Sequence, residues 1–396
     1  MFFFSFVVLY NFLITNGGHF WSGDLSTHTF HLVDFSVGFC TKLLPGAIYQ
    51  GLFGKYTSQT ATTIYETVLL LVFFGALAFV LEYILKREEG RDKEVAFFVM
   101  LLFLSGPCTF SIFTDELGML DVYWVFFSLL FFVCLKSKWA RWLIPAICFS
   151  VLLVNLSGMI AYIIMFFIIM LYKILTEDKK TAWIILFSVS LVVTVGTFVY
   201  FLFFERSNLL LSMEEFNDLI ESRGGGYYVY YDYSLYGYTF ELDVKTITAS
   251  DSVFGNIFAS IVNPIIVNFF IIKDFKFDYF AGAFYCIAVI LPVIICIYKK
   301  IIYIIKNDGN KRQKNIALIL MLIQFPFTIL LGGLFSVDLT RWIAHSFIIL
   351  FATSLFLVQD KNMESLLNFK IHFKNPLFYI WVFLYIFTWT SAYSGS

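Results

Sequence analysis

Eleven apolar runs decide what this chain can fold into. They lie at about 2–14, 63–85, 95–113, 119–135, 142–154, 158–172, 182–204, 278–298, 316–334, 341–358 and 376–390. A helix needs about 20 apolar residues to cross a bilayer, with a range of about 17–25. Most of the runs meet that length. The chain has 396 residues, of which 60% are hydrophobic and 14% charged. Soluble domains have about 45–50% apolar and about 25% charged residues. A core cannot hide this excess, because about a quarter of such a chain's surface stays exposed. A soluble enzyme, a disordered protein and a disulfide-rich secreted protein are therefore excluded. The expected fold is all-α: one polytopic transmembrane domain over 1–396 with about 11 helices.

Charge placement orients the helices. With the amino terminus in the cytoplasm, the loops 86–94, 136–141, 173–180, 299–314 and 361–374 lie inside. They hold 19 of the 27 Lys and Arg residues. This is the positive-inside bias. It predicts a carboxyl terminus outside and an integral plasma membrane location. Richness in Phe, Ile, Lys and Asn points to a bacterial source. The first run has no basic flank and no small-residue cleavage site, so it reads as a short first helix. Runs 142–154 and 158–172 flank Asn155-Leu-Ser-Gly158 and read as two thin helices or one re-entrant hairpin. Net charge is −1, so nothing supports nucleic-acid binding. Five of the six cysteines fall in apolar runs and none forms a CxxC pair, which reads as buried thiols.

Two outer segments stand apart by length, 15–62 and 205–277. Loops beyond about 12–15 residues are usually functional or disordered. These are rich in Phe, Tyr, Ile and Leu, which argues against disorder. Stretch 29–53 reads as an amphipathic segment lying on the membrane. Stretch 212–222 reads as a short surface helix, with Ser212 as cap, Glu215 three residues on, and Gly224-Gly-Gly226 as its stop. Stretch 253–272 is broken by Asn256, Asn263, Pro264 and Asn268, and reads as interfacial or re-entrant on the outer side.

Polar groups gather at the outer helix ends: His28, His31, Asp34 and Lys42 in the first outer segment, then Asp115, Glu116 and Asp121, then Asp338, Arg341 and His345. A carboxylate near the hydrocarbon boundary is pushed up by desolvation. A general base needs such a setting. Asp34 stands alone in an apolar stretch and so faces protein or a wet cavity. It is either a catalytic base or an interfacial acid. Asp115, Glu116 and Asp121 begin the fourth helix. They complement its dipole, or they offer three carboxylates to a divalent ion or sugar hydroxyls. Arg341 and His345 are four apart and share a helix face. Arg341 either binds a phosphate or pairs with Asp338 and snorkels, with Trp342 as an interfacial belt residue. His31, Asp121, Asp338 and His345 complete the candidate substrate-binding set. His28 and His31 are not read as metal or haem ligands. The tyrosine-rich stretch 227–238 reads as an interfacial belt, a sugar-stacking platform or a strand pair.

This layout resembles the GT-C superfamily of multispanning glycosyltransferases. These have a long first outer loop with a key acid, further acids in a second outer loop, and polyprenyl-phosphate sugar donors. The string Asp338-Leu-Thr-Arg-Trp342 also looks like that of bacterial membrane proteins from surface-polysaccharide clusters. The resemblance implies an inverting transfer to a glycan or lipid-linked acceptor. Asp34 would deprotonate the acceptor hydroxyl, and Asp115 and Glu116 would supply the second-loop acids. Arg341 would hold the leaving lipid phosphate, with Mg or Mn as the candidate cofactor. Three other readings stay open. A surface-polysaccharide polymerase would rest on Arg206, Arg223 and Arg341. A lipid-linked glycan flippase or transporter would rest on the Asn155–Gly158 break. A structural membrane subunit would have no site.

Overall fold

The computed structural model describes residues 30–56, 58, 60–69, 71, 72, 75, 120–204, 208, 210, 211, 213–223, 265, 277–307, 314–335, 339–359, 376, 379 and 380. The described residues form helices and turns, with no strand among them. Helix α1 is Leu44–Phe53 and α2 covers 60–69. Helix α3 is Leu120–Leu135. A 3₁₀ turn, Ala140–Leu143, leads into α4, Ile144–Val154. A π turn, Met159–Ile163, leads into α5, Ile164–Thr176. Then follow α6, Thr181–Phe204; α7, Met213–Ser222; α8, Phe277–Asn307; α9, Lys314–Phe335; and α10, Leu339–Gln359.

Three described stretches are long and apolar enough to cross a membrane: Met159–Thr176, Thr181–Phe204 and Lys314–Leu334. Shorter apolar helices stand beside them at Leu120–Leu135, Ala140–Val154 and Leu339–Thr353. The helices match the runs expected at 119–135, 142–154, 158–172, 182–204, 316–334 and 341–358. The run expected at 278–298 extends to Asn307, so Lys299, Lys300 and Lys306 are helical rather than in a loop. The runs 2–14 and 95–113, most of 63–85 and 376–390, both chain ends, and stretches 224–226, 227–238 and 253–272 (apart from residue 265) lie outside the described residues. Exposed apolar side chains such as Val192 and Leu330 give α6 and α9 faces suited to lipid.

The α4–α5 pair is a helical hairpin. Arg141, at the start of one leg, lies over the Trp183 ring at 5.4 Å. Glu177, just beyond the other leg, accepts a 2.5 Å hydrogen bond from Trp183 Nε1. Both legs thus return to the first turn of α6. The tip at Asn155–Gly158 lies at the other end. There Trp124 donates to the Val151 carbonyl, and Leu153 O accepts from Lys42 N of the first outer segment at 2.8 Å. Helix α6 spans about 36 Å at 1.5 Å per residue. Its far end packs Phe201 on Phe39 of the first outer segment. The basic loops 136–141 and 173–180 and the first outer segment therefore sit at opposite ends of the bundle, as the charge pattern requires.

The first outer segment departs from its expected form. Read as amphipathic and lying on the membrane, it is largely packed into protein. Phe30, Leu32, Val33, Val37, Cys40, Leu43 and Tyr49 are buried. Only a few of its apolar residues, such as Phe39, Leu52 and Phe53, stay exposed. The surface helix expected at 212–222 is α7. It buries Phe216 and Ile220 and ends in a turn at Arg223.

Helices α9 and α10 approach closely at Gly332. A Cβ there would fall 2.5 Å from Cε3 of Trp342 and closer to other ring atoms. Trp342 is thus a buried packing residue rather than a membrane-belt residue. Gly332→Ala is expected to destabilise by about 1–3 kcal/mol through overpacking. At Gly196 a Cβ meets nothing within 4 Å, so Gly196→Ala should be neutral or stabilising by up to about 1 kcal/mol. Melting curves of the two variants in detergent check this, and equal melting points would refute it.

Candidate functional site

The first turns of α3 and α10 meet, and they bring together charges 220 residues apart in sequence. Arg341 grips Asp121 with two donors: Nη2 to Oδ1 at 2.7 Å, and Nε to Oδ2. His345, one turn on, places Nε2 3.4 Å from Asp121 Oδ1. Its Nδ1 lies 2.6 Å from the hydroxyl of Tyr162. With a proton on Nε2 facing the carboxylate, Nδ1 accepts from the Tyr162 O–H. Asp121, His345 and Tyr162 are all buried, whereas the Arg341 side chain is 18% exposed. The fork geometry of Arg suits a bidentate carboxylate grip.

Local structure explains each position. Arg341 and His345 share a face because they are four apart on α10. Tyr162 is carried on the π turn, whose extra residue per turn is a common device at functional sites. Gln324 of α9 donates to the Ala161 carbonyl of that turn at 2.9 Å. Trp124, Trp342 and Tyr162 surround the His345 ring, with centroids at 5.6, 5.9 and 5.5 Å. The cluster is polar at its centre and aromatic around it.

A second cluster sits on the other side of the first turn of α3. His31 places Nδ1 3.2 Å from Glu66 Oε1 and Nε2 2.9 Å from the hydroxyl of Tyr123. Tyr123 in turn donates to Tyr65 at 3.4 Å. His31 and Glu66 are both buried. Each cluster thus runs carboxylate, histidine, tyrosine. Helix α3 supplies the carboxylate of one and the tyrosine of the other.

Asp34 caps the 3₁₀ turn Phe35–Val37, accepting from Ser36 N and Ser36 Oγ. Arg223, at the end of α7, reaches back across the two outer segments. Its Nη1 donates to Leu32 O at 2.7 Å, to Gln50 Oε1 at 3.2 Å and to Asp34 Oδ1 at 3.3 Å. Its Nη2 donates to Ser36 Oγ at 3.3 Å. Partial burial acts to raise the Asp34 carboxyl, but Ser36 and Arg223 outweigh it and hold the group below the usual range. The desolvation rise expected for this acid is therefore reversed.

Of the residues singled out in the sequence, Asp121, Arg341 and His345 come together, while Asp34 and His31 lie in the neighbouring outer segment. Asp115, Glu116, Asp338 and His28 lie outside the described residues. Arg341 takes Asp121 as a partner, which spacing alone did not suggest. Glu66, Tyr123 and Tyr162 were missed. Glu66 carried a usable signal, since it and Glu82 are the two acids inside the apolar run 63–85. Among the described residues no group of three His, Cys, Asp or Glu could hold a metal ion. Cys40, Cys134, Cys148 and Cys286 are buried, as expected of membrane thiols. No family model, curated protein or solved structure matches the chain.

Proposed function

We propose that this chain is a membrane glycosyltransferase that moves a sugar from a polyprenyl-phosphate carrier to a glycan or lipid-linked acceptor. In this reading it has about 11 spans in a bacterial plasma membrane, amino terminus inside and carboxyl terminus outside, and it works at the outer face. The observation that carries the reading is Arg341. It is the partly exposed end of an otherwise buried chain, at the amino terminus of an apolar helix. A phosphate arriving there gains from the guanidinium and from the helix N–H groups together. Asp121 fixes the plane of the guanidinium, so its orientation is set before the substrate arrives. Asp34, Asp115 and Glu116 are the acids proposed to activate the acceptor, with Mg or Mn as a candidate cofactor.

One observation favours a second reading, polymerisation of lipid-linked repeat units. Asp34 is engaged by Arg223 and Ser36, and Arg223 also holds Leu32 O and Gln50, so this outer arginine ties the two outer segments together. One experiment separates the two. Purified protein in proteoliposomes is given radiolabelled polyprenyl-phosphate monosaccharides or polyprenyl-diphosphate oligosaccharides, with extracted envelope acceptors. Transfer of a single sugar, lost in Asp34→Asn and lowered about 100-fold or more in Arg341→Ala, is the expected result. Chain growth from oligosaccharides that survives Asp34→Asn supports the polymerase. No product from either donor overturns both and moves the reading to transport.

A further inference from the structure

We propose that His31 and Glu66 form a proton-dependent latch that fastens the first outer segment to the helix bundle. His31 belongs to that segment, Glu66 and Tyr65 to α2, and Tyr123 to α3. Glu66 is 2% exposed, and neither of its oxygens has an aligned hydrogen bond. Its one ion-pair partner among the described residues is His31, 3.2 Å away. The His31 ring is fully buried, with the rings of Tyr49, Tyr65 and Tyr123 at 5.6, 5.7 and 6.2 Å. This latch stands independently of the transfer reading.

Proton counting gives the behaviour. The docked pair holds one proton, placed either as imidazolium and carboxylate or as imidazole and carboxylic acid. Removing it leaves a carboxylate buried beside a neutral ring, a costly arrangement. With the segment undocked and both groups in water, histidine loses its proton near about pH 6.5. Above that pH, docking must take up a proton, so the docked state weakens as pH rises. The sign is that of a group whose proton affinity rises on docking: the contribution is complete below the undocked value and lost at higher pH.

Among the described residues, the other groups facing the pair are three phenols, a guanidinium and the Asp34 carboxylate. The phenols are those of Tyr49, Tyr65 and Tyr123, whose rings pack around His31. The guanidinium is that of Arg223, which holds Leu32 O and Gln50 Oε1. Asp34 is held below the carboxylate range, so its clasp with Arg223 is complete at neutral and alkaline pH. Among the described residues of the docking surface, His31 is the histidine, the residue type that ordinarily titrates near neutral pH.

Cys40 reports on it, being fully buried within the docked segment. In a variant keeping Cys40 alone among the six cysteines, maleimide labelling is followed in nanodiscs from about pH 5.5 to 9. Each rate is divided by that of the same variant unfolded in detergent at that pH, which removes the thiolate contribution. The normalised rate is expected to rise with pH by up to about tenfold per unit, and Glu66→Gln is expected to flatten the profile. A flat profile without the Glu66→Gln change, or the same rise in Glu66→Gln, overturns the latch. Should Glu66→Gln fail to fold, His31→Gln takes its place under the same criterion.

Discussion

Asp121→Asn is expected to cost about 3–5 kcal/mol of stability, the range for breaking a buried ion pair by removing one partner. Arg341 keeps its charge at the amino end of α10, and the two carboxylate oxygens facing Arg341 and His345 become one oxygen and one NH2 donor. Because the Arg341 side chain is 18% exposed, water offsets part of the loss and the lower end of that range applies. The double variant Asp121→Asn/Arg341→Gln should be more stable than Asp121→Asn alone, since no uncompensated charge remains. Thermal unfolding in detergent of the parent protein, both singles and the double closes the cycle. Additive effects would show that the two side chains do not act as a pair. The same variants bear on function, because Asp121 sets the plane of the guanidinium proposed to receive phosphate. Asp121→Asn should therefore lower transfer in molecules that remain folded.

Gly46→Ala is expected to detach the first outer segment. Gly46 is buried in α1. A Cβ there would stand 2.8 Å from the Phe30 carbonyl oxygen and closer still to that of Val33. Both obstacles are backbone, so no side chain can swing aside. Helix α1 must move away from residues 30–33, and His31 and Leu32 go with the displaced turn. The contacts of His31 with Glu66 and of Arg223 with Leu32 O depend on that placement. The overpacking cost should reach or exceed the upper end of about 1–3 kcal/mol. Gly51, in the same helix, has nothing within 4 Å of its Cβ position. Gly51→Ala should therefore be neutral or stabilising, as expected of alanine in a helix. Labelling of Cys40 distinguishes the two: fast in Gly46→Ala, slow in Gly51→Ala. Equal protection in both would mean that α1 has room the close approach denies.

The sequence by itself determined the helical character of the described residues, the positions of most of their helices and the placement of the basic loops 136–141 and 173–180 away from the first outer segment. These follow from local quantities. An apolar run needs a nonaqueous surrounding and an internally hydrogen-bonded backbone, and clustered lysines and arginines stay on the side where they began. The short surface helix after the long α6 was legible for the same reason, from a cap, a period and a stop within about a dozen residues. Arg341 and His345 were legible as one face because four residues make about one helical turn.

Only the tertiary structure decided the partners. Asp121 read as a helix-dipole acid and Arg341 as a phosphate ligand or a partner of Asp338. Each was plausible locally, and neither reading named the other residue. Their pairing depends on how α3 and α10 are placed by α4, α5 and α9, and no spacing along the chain encodes that. The same holds for Tyr162, brought to His345 by a π turn that a uniform apolar run does not announce. Trp342 read as a belt residue because tryptophan favours membrane boundaries, but Gly332 on the neighbouring helix gives its ring a buried seat. Asp34 read as an acid raised by desolvation, and Arg223, 189 residues away, reversed that direction. Electrostatic partners act through space over a few ångströms. Sequence patterns report the environment of a segment, while the charge that answers a buried charge is supplied by the fold.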